Sequence, residues 1–473
     1  MTIHEMTLNL HFLALLIFIC VKGIYGQPPS IDEFNVYYGT FHNHSSFSSD
    51  ATGDPEGAYT YAREVSKLDF FSLSEHCICL TQQEWDSSKV YATRQNRDSS
   101  FTALLGFEWT NNSYGHILIL NTDSFTSVSK QATDSLNKIS DWISNHNGIA
   151  FFNHPGRQNG KNTEFEHFTR KPNLNFVGME LWNRNNDFSV YYYNDGYFPN
   201  DGNLGFYDEA LIRGWKIGAS GSEDNHTANW GNYSNFRTAI LAKANTRKDI
   251  TDALLKRHFY STLDKNIALS FKLNNAQMGD SIHAGKLKLK IEAFDVDNEY
   301  FTSITLKKNG TIFKTWSINE QHPIIEDSIW CSHGEYLYAI VTQADGDQAI
   351  SSPINISYSK PLIIYDTIWI NDTTFITDTI YIRDTIRLNQ QNKLPFNPSL
   401  KIYPNPFNYK ISIDLEETQP SIVTIYSSEG YIVLENQYNN KQIQLNTSFL
   451  NPGIYLLGLT VNQKTYFQKI IKK

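Results

Sequence analysis

Cysteine is scarce in this chain, with four in 473 residues. Cys20 sits in an apolar N-terminal run, so only Cys77, Cys79 and Cys331 remain beyond it. A sparse, odd set of thiols excludes a disulfide scaffold, and packing must supply the stability. Cys77 and Cys79 alternate beside His76, a spacing open to a thiolate ligand but read here as buried structural thiols. Long apolar runs are rare too. Phe12 to Val21 is unbroken over ten residues, too short for a comfortable membrane span. With Gly26 before Gln27 it reads as an export signal over residues 1–26, although its first ten residues carry no Lys or Arg. No later stretch has the length to cross a bilayer. Positive charge is also in deficit: 40 Lys and Arg against 49 Asp and Glu leave a net charge of −9. That balance lacks the electrostatic footprint of a nucleic-acid binder.

What is present is a generous supply of core residues, 40% hydrophobic and 14% aromatic. At this length the chain should split into several domains. Residues 27–265 alternate short apolar runs with amphipathic segments, the signature of an α/β domain. Asp54 and Pro55 make an N-cap and first-turn pair, followed by Ala58, Ala62 and Val65 at helical spacing. Polar residues stand where the apolar runs stop: Glu75 and His76 after "LDFFSLS", His154 after "GIAFF", Glu180 in "FVGMELWN", and Asp224 and His226 in "GASGSEDNH". If the strands form a parallel barrel, those ends share one face, where such folds build their sites. Residues 266–360 change character. "KLKLKIEAF" alternates cleanly and Asn309–Gly310 marks a hairpin, so an accessory immunoglobulin-like β-sandwich is expected. Residues 361–397 repeat Asp-Thr at Asp366, Asp372, Asp378 and Asp384 and read as a stiff linker. Residues 398–473 read as a last small β-sandwich.

The pair His42 and His44 has i, i+2 spacing, which turns both rings to one side of an extended strand. Seven further candidates stand at strand boundaries: Asp50, His76, Glu108, His116, His154, Asp224 and His226. Imidazoles and carboxylates of this kind suit a borderline divalent metal, and each needs a partner if buried. The motif order, "HNH", Asp50, "SLSEH", "GFEW", "GHILIL", "NHPG" and "SEDNH", resembles the PHP (polymerase and histidinol phosphatase) superfamily. Its secreted, carbamate-hydrolase-like branch is the nearer match.

That resemblance implies a distorted (β/α)7 barrel holding two or three divalent ions (Zn, Mn or Fe), followed by small all-β sandwiches. His42, His44 and Asp224 would share one ion with Glu108 bridging. His116 and His154 would join Glu108 on a second, and Asp50, His76 and His226 would hold a third. Glu75 replaces the usual Asp and is read as orienting a ligand, and Asp50 comes one position late. Glu108, His154 and Asp224 would then serve hydrolysis by metal-bound hydroxide, with Arg157 and Arg184 as clamps for an anionic substrate. Glu180 and Asn183 would line or support the pocket. Phosphoester hydrolysis is the favoured reaction, carboxylic ester, amide or carbamate cleavage the runner-up. A surface carbohydrate-binding protein using "VYYYNDGYF" is the rival from another class. His146, His167, His258, His283, His322 and His333 fall outside the motifs. Asn43 and Asn225 lie in glycosylation sequons, where a glycan would obstruct the site. At the C-terminus "IYPNPF" and its short strands resemble the type IX secretion sorting domain. That implies passage through the outer membrane of a Gram-negative bacterium, by the type IX machinery, to release or surface attachment.

Overall fold

Runs with almost no polar break make the central strands. Phe70–His76 and Phe176–Asn183 are buried along their whole length, as strands covered on both faces must be. The computed structural model describes residues 28–155, 164–183, 205–357, 401–427, 432–448, 450, 452–462 and 464–473. The expected signal segment, Arg157, Arg184, the "VYYYNDGYF" run and the Asp-Thr linker lie outside the described residues. The chain divides into two units: Met1–Asp280, Lys290–Glu326 and Leu337–Ile354 in the first, and Ser281–Leu289, Asp327–Tyr336 and Asn355–Lys473 in the second.

In the first unit the strands are β1 (Ser30–Ile31), β2 (Phe34–Thr40), β3 (Phe70–His76), β4 (Thr102–Asn111), β5 (Gly115–Leu120), β6 (Ile149–Phe152), β7 (Phe176–Asn183), β8 (Gly218–Ser222), β9 (Arg237–Ala242) and β10 (Phe259–Thr262). They form one sheet in the order β10-β9-β2-β3-β4-β5-β6-β7-β8. β2, β3 and β4 are mutually parallel, as are β6, β7 and β8. β5 opposes both its neighbours, and β9 opposes β2 and β10. The sheet curls until β8 returns to its start. There the Thr238 hydroxyl of β9 bridges to β8, accepting from Gly221 N at 3.1 Å and donating to Gly221 O at 2.9 Å. The barrel is therefore α/β and distorted as expected, with a mixed sheet and few helices.

The helices begin where the sequence provides caps. Asp54 accepts from Gly57 N at 2.6 Å ahead of helix Pro55–Glu64, which buries Ala58, Tyr59 and Ala62. Thr81 and Glu84 form a capping box at helix Gln82–Gln95, which buries Trp85 and Ala92. Between β4 and β5 there is no helix. Asn111 Oδ1 accepts from Ser113 N at 2.9 Å and Tyr114 N at 3.0 Å, and Gly115 takes φ +88°. That tight turn reverses the chain.

Beyond β10 the same sheet continues through antiparallel strands. β10 pairs with Gln348–Ser351, which pairs with Tyr336–Gln343, then Phe301–Lys308 and Thr311–Glu320. In the second unit Lys401–Tyr403, Lys410–Asp414 and Gln442–Asn446 form one sheet. Ile432–Tyr438, Ser421–Tyr426, Gly453–Val461 and Lys464–Lys472 form the other. Ile411, Ile413, Val423, Ile425, Leu457, Leu459 and Ile470 make their shared core. Among the described residues no helix is long and apolar enough to cross a membrane.

Candidate metal centre

The strand ends converge on one rim. β2 runs out at Thr40, and the following residues deliver His42 and His44 beside the segment after β8: Asn43 bridges Asn225 in parallel, and His44 N donates to Asn225 O at 2.9 Å. His76 ends β3 in register with Glu108 on β4. Because β5 runs backwards, its second residue, His116, lies opposite Thr110 at the same rim. β6 leads into Asn153 and His154, and β8 into Glu223 and Asp224. His154 (φ 29°) and Asp224 (φ 49°) both sit in the left-handed region, the kind of backbone strain that clusters at functional sites.

Glu108 is fully buried at the middle. Its Oε1 lies 3.0 Å from His42 Nε2, 3.1 Å from His116 Nδ1 and 3.3 Å from His154 Nε2, while Oε2 lies 2.7 Å from His76 Nδ1. Asp224 Oδ1 lies 3.1 Å from both His42 Nε2 and His44 Nε2, and 3.6 Å from His226 Nδ1. Asp50 Oδ2 reaches His76 Nε2 at 3.3 Å and His226 Nε2 at 3.7 Å. All nine candidates thus belong to one cluster. Four overlapping triads have donor atoms within 4.8 Å of one another: His42, His44 and Glu108; His42, His154 and Asp224; Glu108, His116 and His154; His44, His76 and His226. In the last, His44 completes the set where Asp50 was expected. Asp50 stands at the solvent edge, its side chain 58% exposed.

Neighbouring groups fix which nitrogen faces inward. Glu180 Oε1 takes His42 Nδ1 at 2.8 Å, Ser48 Oγ meets His44 Nδ1 at 3.1 Å, and His226 Nδ1 donates to Asp224 O at 2.7 Å. In each case Nε2 is left for the centre, as in metal sites whose outer partners orient the imidazoles. Glu180 Oε2 also accepts from His154 N and Asn183 Nδ2, both at 2.8 Å. Glu75 acts one layer out: Ser48 Oγ donates to it at 2.6 Å and is the same hydroxyl that meets His44 and receives His76 N at 3.0 Å.

Electrostatics divide the histidines. Burial, with His76 and His226 alongside, lowers His44 to about 3. Burial also works against charge on His76, yet Asp50 and Glu108 raise it to about 11. Burial alone would raise Glu108, but His116 and His42 hold it well below the carboxylate range, and Asp224 is held down likewise by His42 and His44. The carboxylates are therefore ionised.

Besides Ser48, three contributors escaped the sequence reading. Asn153 Nδ2 donates to Glu108 Oε1 at 2.9 Å. Thr110 Oγ1 lies 3.0 Å from His76 Nδ1. Buried Glu223 braces the Asp224 loop by accepting from Gly231 N at 2.7 Å and Ser234 N at 2.8 Å. Only adjacency to a motif could have flagged them. Asn43 and Asn225 are fully buried, which leaves no room for a glycan on either. Cys77 is a buried free thiol that accepts from Thr110 N at 3.4 Å, and no cysteine joins the four triads.

At the other end of the chain, residues 401–473 match the family model of the secretion system C-terminal sorting domain. The C-terminal sandwich is a secretion-system sorting domain. The match spans both sheets of this sandwich, from Lys401–Tyr403 to Lys464–Lys472. A curated relative, an uncharacterized protein of Chlamydia pneumoniae, is 24% identical over 358 residues, 68% of this chain and 57% of that protein. This chain therefore spans little more than half the length of that relative. Among solved structures, a two-domain protein from Bacteroides vulgatus containing a predicted PHP-like metal-dependent phosphoesterase is 14% identical, covers 69% of this chain and 98% of its own, and has a TM-score of 0.41. An immunoglobulin-like β-sandwich protein from the same organism is 14% identical over 16% of this chain and 83% of its own, with a TM-score of 0.15.

Proposed function

We propose that this protein is an exported metal-dependent hydrolase of the PHP type that cleaves phosphoesters. The observation that carries the reading is Glu108, a buried carboxylate within 3.3 Å of four histidine nitrogens. No fold needs such a cluster for packing, since each buried charge costs desolvation. The donor set fits divalent ions: imidazole and carboxylate without thiolate suits Zn, Mn or Fe. Two or three ions would be held, by His42, His44, Asp224 and Glu108, by Glu108, His116 and His154, and by His76 and His226 with His44 or Asp50. When bound, such ions lower the pKa of water from about 15.7 towards 7 and stabilise a leaving oxygen.

The chain's own groups do the rest. Glu108 and Asp224, held ionised, neutralise the cations and keep the donors a few ångströms apart. Glu180 and Ser48 hold His42 and His44 with Nε2 inward. The deep side of the rim is lined by buried strands that exclude bulk water, while Asp50 marks the open side. Arg157 and Arg184 are proposed to clamp an anionic substrate, a small molecule or a surface polymer. The sorting domain would carry the protein through the type IX route to the exterior or the cell surface.

The test is an assay of the intact, metal-reconstituted protein against a generic phosphoester and, side by side, a generic carboxylic or carbamate ester. Phosphoester turnover that disappears in Glu108→Ala is the expected result. Turnover of the carboxylic or carbamate ester alone would overturn the substrate class and favour the runner-up. Carbohydrate binding with no turnover of either would make the barrel a binding module.

A further inference from the structure

Far from the histidine rim, three segments of the first unit meet around one guanidinium. They are residues 171–175, directly before β7, residues 212–217, directly before β8, and residues 254–258, directly before β10. The histidine and carboxylate cluster instead follows strands such as β2, β6 and β8, so the two surfaces lie at opposite ends of the barrel. Arg257, the left-handed cap of helix Arg247–Lys256 at φ 62°, donates Nη2 to Leu174 O at 3.0 Å, Nη1 to Leu255 O at 2.9 Å and Nε to Lys216 O. The Cβ position of Gly214 lies 3.9 Å from Pro172 Cγ, which joins the first two segments a second time.

Their composition runs against that of the chain. "KPNLN", "IRGWKI" and "LLKRH" hold five Lys and Arg and no Asp or Glu, in a chain whose net charge is −9. Among the described residues, none of Lys171, Lys216, Lys256 and Arg257 is in an ion pair. Acids at the margin are already paired, Glu209 with Arg213 at 3.2 Å and Asp280 with His258 at 2.9 Å. Apolar side chains stand among the cations: Leu174 is 70% exposed, Ile212 51% and Leu255 45%. One exposed leucine is ordinary surface. Leucines on two segments tied to the same guanidinium, with lysines beside them, make a patch that needs a partner.

We propose that this end of the barrel docks on a lipid surface rich in anionic headgroups, with Leu174, Ile212 and Leu255 entering the headgroup layer and Lys171, Lys216 and Lys256 meeting the phosphates. Charge selects the occupant. A second copy of the same face would set cation against cation, and a neutral apolar partner would bury the lysines without a counter-charge. Basic side chains around apolar ones suit the boundary between headgroups and acyl chains, where long lysine stems reach back to the phosphates. The consequence is orientation. A chain docked by this end holds its histidine rim away from the lipid, and the docking does not depend on the chemistry at that rim.

The experiment is cosedimentation of the intact protein with vesicles of phosphatidylcholine and phosphatidylglycerol, alongside vesicles of phosphatidylcholine alone. Binding to the anionic vesicles only is expected, weakening as salt is raised. It should fall at least about tenfold in Lys216→Glu with Lys256→Glu, and likewise in Leu174→Ser with Leu255→Ser. All four side chains are exposed, so the variants should melt with the wild type. Binding that both double variants retain overturns the docking face, since it places the contact elsewhere on the chain. No binding to the anionic vesicles overturns it too, whether the patch then pairs two copies or takes a soluble polyanion, which sedimentation of the protein alone and with dextran sulfate tells apart.

Discussion

His44 and His76 lie with ring centroids 4.2 Å apart, their planes tilted by 31°, yet their proton affinities diverge. Burial beside His76 and His226 brings His44 to about 3 from 6.5, whereas Asp50 and Glu108 overcome burial to bring His76 to about 11 from 6.5. For the metal-free protein the two have opposite consequences for stability. His44 is neutral when folded, so its contribution is present above pH 6.5 and is lost as pH falls towards 3. His76 is protonated when folded, so its contribution is present below pH 6.5 and is lost as pH rises through 11. Thermal melts of the chelator-stripped protein are therefore expected to peak near pH 6.5 and to fall on both sides. A melting temperature that keeps climbing to about pH 9 would contradict this assignment. Loading the barrel should flatten the alkaline limb, because an ion replaces the proton on His76.

At the scale of the element, the reversed strand β5 does what a parallel strand could not. A parallel strand would need a crossover, and the residue entering it would lie at the far rim. The Asn111 to Gly115 turn instead sets His116 opposite Thr110, two residues from Glu108. "GHILIL" announced a buried strand with a histidine at its head, but its direction depended on turn geometry that no residue spacing displayed. The HxH pair, "SLSEH", "NHPG" and "SEDNH" were legible because strand ends carried the charge. Asn153, Thr110 and Ser48 were not, because neutral polar side chains next to a motif look like any capped loop. Barrel closure was equally hidden, since scattered polar contacts rather than a strand ladder make it: the Thr238 hydroxyl on Gly221, the Ser222 hydroxyl on His42, and His44 N on Asn225 O. Thr238→Val keeps the shape but leaves the buried Gly221 N without its acceptor. That should cost about 1–3 kcal/mol in urea unfolding, with little change in the denaturant slope. A variant as stable as wild type would mean that packing and the other seam contacts, such as Ser222 with His42, carry closure without this hydroxyl.

For the whole molecule, the desolvation cost of a charge-rich centre is offset by apolar burial in the surrounding strands. Phe70, Phe71, Leu73, Phe107, Trp109, Ile117, Ile119, Met179 and Leu181 are all fully buried around it. The C-terminal sorting domain has its own core and contributes none of the nine cluster residues. The residues that match the sorting-domain model and the histidine–carboxylate cluster thus lie in separate parts of one chain. If the nine side chains on this barrel rim hold metal, elemental analysis of the intact, exhaustively dialysed protein will show it. Two or three transition-metal ions per chain are expected in the wild type, with at least one lost in Glu108→Gln, whose shared carboxylate serves two of the triads. A wild-type protein that retains less than about one such ion per chain after incubation with Zn²⁺, Mn²⁺ or Fe²⁺, or a Glu108→Gln variant with an unchanged count, would contradict the account.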